Sequence, residues 1–192
     1  MQSSTSTGAD SLVEITEETH GVMLDIKYAT SDNITGKPIY DLTRCYLRRE
    51  AEEKLRIAVE LLLPLGLRIK IFDGYRPEAA QKLLWAACPD PDYIIPPEVG
   101  SNHTRGIAVD MTLVTSDGAE LDMGTGFDDM TVQSHHRRSD IPVIAQKNRF
   151  LLQGVMSLCG WVPQDTEWWH YQLPGDDWPL LEGASTGLIG SP

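Results

Sequence analysis

Three signals are scarce in this chain. Cysteine is the first: Cys45, Cys88 and Cys159 lie far apart and form no CxxC pair. That argues against a cysteine zinc site, and the three are read as small, buried, reduced residues. Basic charge is the second. Sixteen Lys and Arg face 28 Asp and Glu, a net charge of −12, whereas general nucleic-acid binding needs basic surface. Long apolar runs are the third, since none approaches the roughly 18–20 residues of a membrane span. The Ser/Thr-rich start, Met1 to Asp10, has no basic or apolar segment of the secretory kind. A cytoplasmic protein with no nucleic-acid or membrane partner is expected.

What is present suits one folded domain. A chain of 192 residues can bury a real core without disulfides. Residues 1–11 read as a flexible arm, 12–178 as the folded domain and 179–192 as a C-terminal tail. Val22, Leu24 and Ile26 alternate with polar neighbours, as do Leu67, Ile69 and Ile71, and then Ile107, Val109, Met111 and Leu113; these are strand patterns. Leu47, Ala51, Leu55, Ala58 and Leu62 predict a helix that Thr43 caps and Pro64 and Gly66 end. A second helix is expected over about 77–87. A third, about 142–158, should carry Leu151, Val155 and Leu158 on one side. Asp117-Gly118 reads as a hairpin turn. Segments 88–100 and 122–142 have no period, and loops this long are often functional. Together these predict an α+β fold: a single domain whose central, mainly antiparallel sheet is flanked by helices.

The chemistry gathers around Ser101-Asn102-His103-Thr104-Arg105-Gly106-Ile107-Ala108-Val109-Asp110. His103 and Asp110 can both bind a metal, but residues seven apart on an unbroken strand point to opposite faces. If both bind one metal, the backbone must turn between them, and Gly106 is placed to allow it. A protein-bound zinc needs at least a third ligand, and His170 supplies a candidate. Glu167, three residues before it, is a candidate general base. On a regular strand these two would not share a face, so Glu167 is expected at the strand's entrance, where the backbone can aim it differently. Arg76 could stabilise an oxyanion. Each has a structural alternative: a sheet carboxylate, a surface histidine, an arginine paired with an acid. His135 and His136, adjacent in a loop, are rival ligands but read better as lid or supporting residues. Trp168 and Trp169 read as packing around the site.

At these positions the chain resembles the zinc D-alanyl-D-alanine peptidase superfamily, which includes lysostaphin-type enzymes and the hedgehog domain. It is most similar to VanX-type D-alanyl-D-alanine dipeptidases. The motifs are Ser101-x-His103-x-x-Gly106-x-Ala108-x-Asp110 and Glu167-Trp168-Trp169-His170-Tyr171, with Asp25 to Thr30, Asp73-Gly74-Tyr75-Arg76-Pro77, Met123 to Asp128 and Ser134-His135-His136. They keep the family's order over roughly residues 20–173. The resemblance implies one zinc ion in a cleft, held by His103, Asp110 and His170. It implies Glu167 as general base and acid and Arg76 as stabiliser of the tetrahedral intermediate. It also implies Asp128, Ser101 and Tyr28 near the amine of a small D-dipeptide. Asn33-Ile34-Thr35 departs from the aromatic residue associated with the segment after the tyrosine. A D,D-carboxypeptidase or wall endopeptidase, and a zinc-binding module without chemistry, are the alternative readings.

Overall fold

The computed structural model describes residues 12–181 and 186–189. The expected arm over 1–11 lies outside them, as do 182–185 and 190–192 of the expected tail. Ile69 and Ile71, both fully buried, lie on β4 (Leu67–Asp73). This strand pairs with β5 (Ala108–Thr115), which pairs with β7 (Glu167–Gln172). The edges are β2 (Met23–Leu24) beside β4 and β6 (Val162–Gln164) beside β7, giving the order β2-β4-β5-β7-β6. Only β2 runs parallel to its neighbour, so the sheet is mixed and mainly antiparallel. The strand expected through Ile26 is shorter, because a 3-10 turn at Lys27–Ala29 takes over. Thr115 and Ala119 close the Asp117-Gly118 turn, and a bridge pairs Val114 with Glu120.

The first long helix starts later than its periodicity suggests. Cys45–Arg48 form β3, which pairs antiparallel with β1 (Leu12–Ile15). A short helix α1 (Glu17–His20) follows β1. The helix α2 (Arg49–Leu62) therefore has Arg48, not Thr43, at its cap. Leu47 is buried from a strand, while Ala51, Leu55, Ala58 and Leu62 are fully buried from the helix. Tertiary pairing with β1 overrides the local pattern here. α3 spans Glu78–Ala87 behind Pro77. In α4 (Val143–Leu158) the buried side is Ala145, Arg149, Leu152 and Met156, with Val155 beside it. Leu158 is 81% exposed, so its placement on the core face is corrected. In the helix's last turn it points away from the buried stripe, whose members lie three and four residues apart.

After β7 the described residues carry no regular element but lie on the body. Leu181 and Leu188 are buried, and the carbonyls of Trp178 and Pro179 accept from Arg105 and Arg48. All three cysteines are free, Cys45 and Cys159 buried and Cys88 half-buried. Among the described residues no helix is long and apolar enough to cross a membrane.

Two backbone features aim the site. Register shifts between Ile71 and Asp73, so Phe72 is an extra residue that brings Asp73 opposite Asp110. Just beyond, Gly74 runs against β3: a Cβ there would lie 2.7 Å from Cys45 Sγ and 2.8 Å from the Tyr46 carbonyl oxygen. Gly74→Ala is expected to lower stability by about 1–3 kcal/mol, the usual range for overpacking a tight site. Denaturant unfolding of variant and parent measures this, and an unchanged midpoint would contradict the close approach.

Candidate active site

The sheet register sets three side chains in a row. Asp73 on β4 pairs with Asp110 on β5, and Asp110 pairs with His170 on β7. Directly opposed residues share a face. His103 joins them from the loop before β5, because the chain turns there as its spacing requires. Gly106 has φ 71°, its N–H bonds to the His103 carbonyl, and the Ile107 N–H bonds to the Asn102 carbonyl. Glu167 reaches the same place through a second irregularity. Pairing jumps from Pro163–Tyr171 to Gln164–Glu167, which frees the start of β7 from strict alternation. Glu167 Oε2 then lies 3.7 Å from His170 Nδ1.

His103, Asp110 and His170 converge on one point, and all are buried. His103 Nε2 lies 3.2 Å from His170 Nδ1 and 3.3 Å from Asp110 Oδ2, and His170 Nδ1 lies 3.1 Å from Asp110 Oδ1. Zinc–ligand bonds of about 2.0–2.1 Å at tetrahedral angles separate donors by about 3.3 Å. The donor set therefore fits zinc in type and spacing. The tautomers fit as well. His103 Nδ1 donates to the Gly74 carbonyl at 2.7 Å, leaving Nε2 as the free lone pair. His170 Nε2 donates to Gln172 Oε1 at 3.0 Å, leaving Nδ1 free. Asn102 Nδ2 donates to the same Gln172 oxygen at 2.7 Å and so fixes its orientation. Such partners orient metal ligands and raise their basicity.

Electrostatics follow from burial and neighbours. Burial pushes the Asp110 carboxyl up, but the charges and hydrogen bonds of His103 and His170 hold it far below the carboxylate range. Burial lowers His170, and Asp110 more than reverses this. Burial raises Glu167 to about 8 against the pull of His170, with Asp110 and Asp128 adding to the rise. Arg76 is buried beside Asp73, with Nη2 2.8 Å from Asp73 Oδ2. Its Nη1 donates to Gln81 Oε1 at 3.0 Å, its Nη2 lies 3.8 Å from Asp110 Oδ2, and its guanidinium stands 4.9 Å from the Tyr28 ring centre. Asp73 also accepts from Tyr40 Oη at 2.9 Å.

Asp128, Ser101 and Tyr28 line the same cavity as these groups, about 240 Å³ in volume. Asp128 has φ 58°, a left-handed backbone that Asp tolerates better than most residues. It accepts from Tyr28 Oη at 3.2 Å and from the Ile34 N–H at 3.1 Å. Burial raises its carboxyl to about 7, which the Ile34 hydrogen bond opposes. Ser101 Oγ accepts from the His103 N–H. His135 and His136 stay out of the metal cluster: His135 Nε2 is 3.3 Å from Tyr93 Oη, and the His136 ring meets that of Tyr171. Sequence reasoning assigned no role to Asp73, Gln81, Asn102 or Gln172. Asp73 already stood in the Arg76 motif, and Gln172 lies two residues past His170 on the same strand face, which was the available signal.

Convergent candidate metal donors, a buried carboxyl beside them and a fixed cation across a small cavity fit a metallohydrolase site. The D-ala-D-ala dipeptidase family of the Peptidase_M15 group matches residues 8–182, so the chain belongs to that family. It is 46% identical over 159 residues to a D-alanyl-D-alanine dipeptidase of Escherichia coli, covering 82% of each chain. It is 36% identical over 184 residues to one from Enterococcus faecium, covering 85% of this chain and 91% of the relative. A crystal structure of a vancomycin-resistance D,D-pentapeptidase with Zn(II) aligns over 88% of this chain and 89% of its own, at 14% identity and TM-score 0.46; the assignment does not rest on it.

Two outcomes are expected. Gln172→Ala should weaken zinc binding about 10–100-fold, the usual effect of losing a ligand's outer partner, as read by chelator competition. In metal-free protein, Asp128→Asn should flatten the pH dependence of stability. A carboxyl whose pKa is raised on folding contributes stability below its unfolded value and loses it as pH rises towards about 7. Unfolding midpoints from pH 4 to 8 test the sign; a parent that gains no less stability than the variant over that window contradicts it.

Proposed function

We propose that this chain hydrolyses D-alanyl-D-alanine to D-alanine, with one zinc ion held by His103, Asp110 and His170. The observation that carries the reading is the convergence of those three donors beside Glu167. Bound there, zinc supplies Lewis acidity toward a water and the peptide carbonyl. Glu167 takes the proton of the attacking water and returns it to the leaving amine. A pKa near neutrality suits both halves of that transfer. Arg76, held by Asp73 and Gln81, offers fixed positive charge where the carbonyl oxygen becomes negative. Asp128, with Tyr28 donating to it, is the carboxylate for the substrate's ammonium. Ser101 lends a hydroxyl to the same pocket.

The cavity supports a small substrate. Pockets for drug-sized ligands run about 300–1,000 Å³, and this one holds about 240 Å³. That favours the free dipeptide over a pentapeptide stem, and Glu167 with Arg76 favours catalysis over a silent zinc module. A free dipeptide substrate favours the cytoplasm. Its removal there depletes a cell-wall precursor, as in glycopeptide resistance, or recycles D-alanine. Metal analysis coupled to D-Ala-D-Ala hydrolysis tests the reading. Parent and Glu167→Ala should both hold one zinc per chain, while the variant loses about 10²–10⁴-fold in kcat. A Glu167→Ala protein with full turnover would sink the mechanism.

A further inference from the structure

Two loops contribute to the wall of the cavity and touch each other. One, after α3, brings Tyr93, Ile94 and Ile95 to its wall. The other, before α4, brings Asp128 and Met130 to the wall and carries His135 against Tyr93. They touch where Tyr93 Oη lies 3.3 Å from His135 Nε2, with ring centres 6.3 Å apart. Both are pinned to the turn between β6 and β7. Thr166 Oγ1 donates to the Asp92 carbonyl, and the His136 N–H donates to the Asp165 carbonyl at 2.9 Å. Arg137, with a left-handed backbone at φ 64°, pairs with Asp165 at 2.8 Å. The first loop has a further anchor, since Gln81 Nε2 donates to the Ile95 carbonyl at 2.7 Å. Its wall is thus tied to the residue that holds Arg76. Neither Tyr93 nor His135 bears on the metal donors or on Glu167 by any contact the mechanism uses.

We propose that the Tyr93–His135 contact is a specificity determinant that closes the cavity at the length of a free dipeptide. This rests on the reading of the chain as a D-Ala-D-Ala hydrolase and adds the residues that set its chain-length limit. Selection of this kind works by exclusion: a longer peptide would have to displace the tyrosine and separate two anchored loops.

The test compares kcat/KM for D-Ala-D-Ala, N-acetyl-D-Ala-D-Ala and D-Ala-D-Ala-D-Ala in zinc-loaded parent, Tyr93→Ala, Tyr93→Phe and His135→Ala. The readout is the ratio of each extended substrate to the dipeptide. Tyr93→Ala should raise that ratio at least tenfold for the acetylated substrate, the tripeptide or both, and which one responds reports the end of the substrate the wall faces. His135→Ala and Tyr93→Phe should move the ratio in the same direction by less, because they loosen the contact and keep the ring. Dipeptide turnover by each variant shows that it has folded, and a variant without it is replaced by Tyr93→Leu. A parent that hydrolyses dipeptide, with ratios unchanged in every folded variant, overturns this inference alone. A parent inert on dipeptide overturns the functional reading, and this inference falls with it.

Discussion

A carboxylate in the middle of a sheet is costly to bury, and Asp110 is 3% exposed. Its charge is balanced by Arg76 at 3.8 Å and by His103 and His170 within 3.3 Å, whose facing nitrogens attract it when they carry a proton and share a cation with it when they do not. Each of those is held in turn. Gly74 and Gln172 accept from the imidazoles, and Asp73 and Gln81 bind the guanidinium. The arrangement is a nested set of polar obligations, in which every buried donor or acceptor needs a partner further out. Asp73 has the same problem one strand away and meets it with Tyr40 and Arg76. The acids lining the cavity, Asp92, Asp110, Asp128 and Glu167, outnumber the single arginine there. That excess suits a divalent cation and an ammonium group together.

Regular strands alone would not build this cluster. Strict alternation places Asp73 out of line with Asp110, and it turns Glu167 away from His170. The extra residue Phe72 corrects the first, and the irregular entrance to β7 corrects the second. Bulges beside functional sites re-aim side chains in this way while the rest of the ladder stays intact. The turn at Gly106 is the third departure from regularity, and a side chain there would press on Leu12, Arg48 and Leu181. Each irregularity is local, so the sheet keeps its stability while its end is shaped for chemistry.

The sequence made much of this legible. Alternation marked β2, β4 and β5, and a metal shared by His103 and Asp110 called for the turn that Gly106 makes. His170 stood as the candidate third donor on residue type, and the likeness to a known family implied the same set. What stayed hidden depended on distant partners. Cys45–Arg48 continue a helical pattern and become a strand only because Leu12–Ile15 lie alongside. Leu158 fits an apolar stripe and faces solvent because α4 turns Arg149 inward instead, where it binds the carbonyls of Met123, Gln133 and His135. No periodicity announces a buried arginine that organises a loop. Gln81 and Gln172 were hidden for the same reason, since an amide's role depends on what it bridges.

The division of labour between strands and loops explains why these parts differ in legibility. Asp110, His170 and Glu167 sit on paired strands, and Arg76 is tied by its own N–H to the His103 carbonyl. The chemistry is therefore fixed to the sheet, where small displacements are resisted and a misplacement of about 1 Å can cost roughly 10²-fold. Part of the cavity's wall, Asp92 to Ile95 with Asp128 and Met130, comes instead from two irregular segments. Such segments tolerate substitution and insertion better than the elements they join. His103, Asp110, His170, Glu167 and Arg76 are all carried outside those two segments, and Gln81 ties the two parts directly by holding Arg76 and the Ile95 carbonyl together; on the proposed reading, the loops are where substrate length can be set apart from the chemistry.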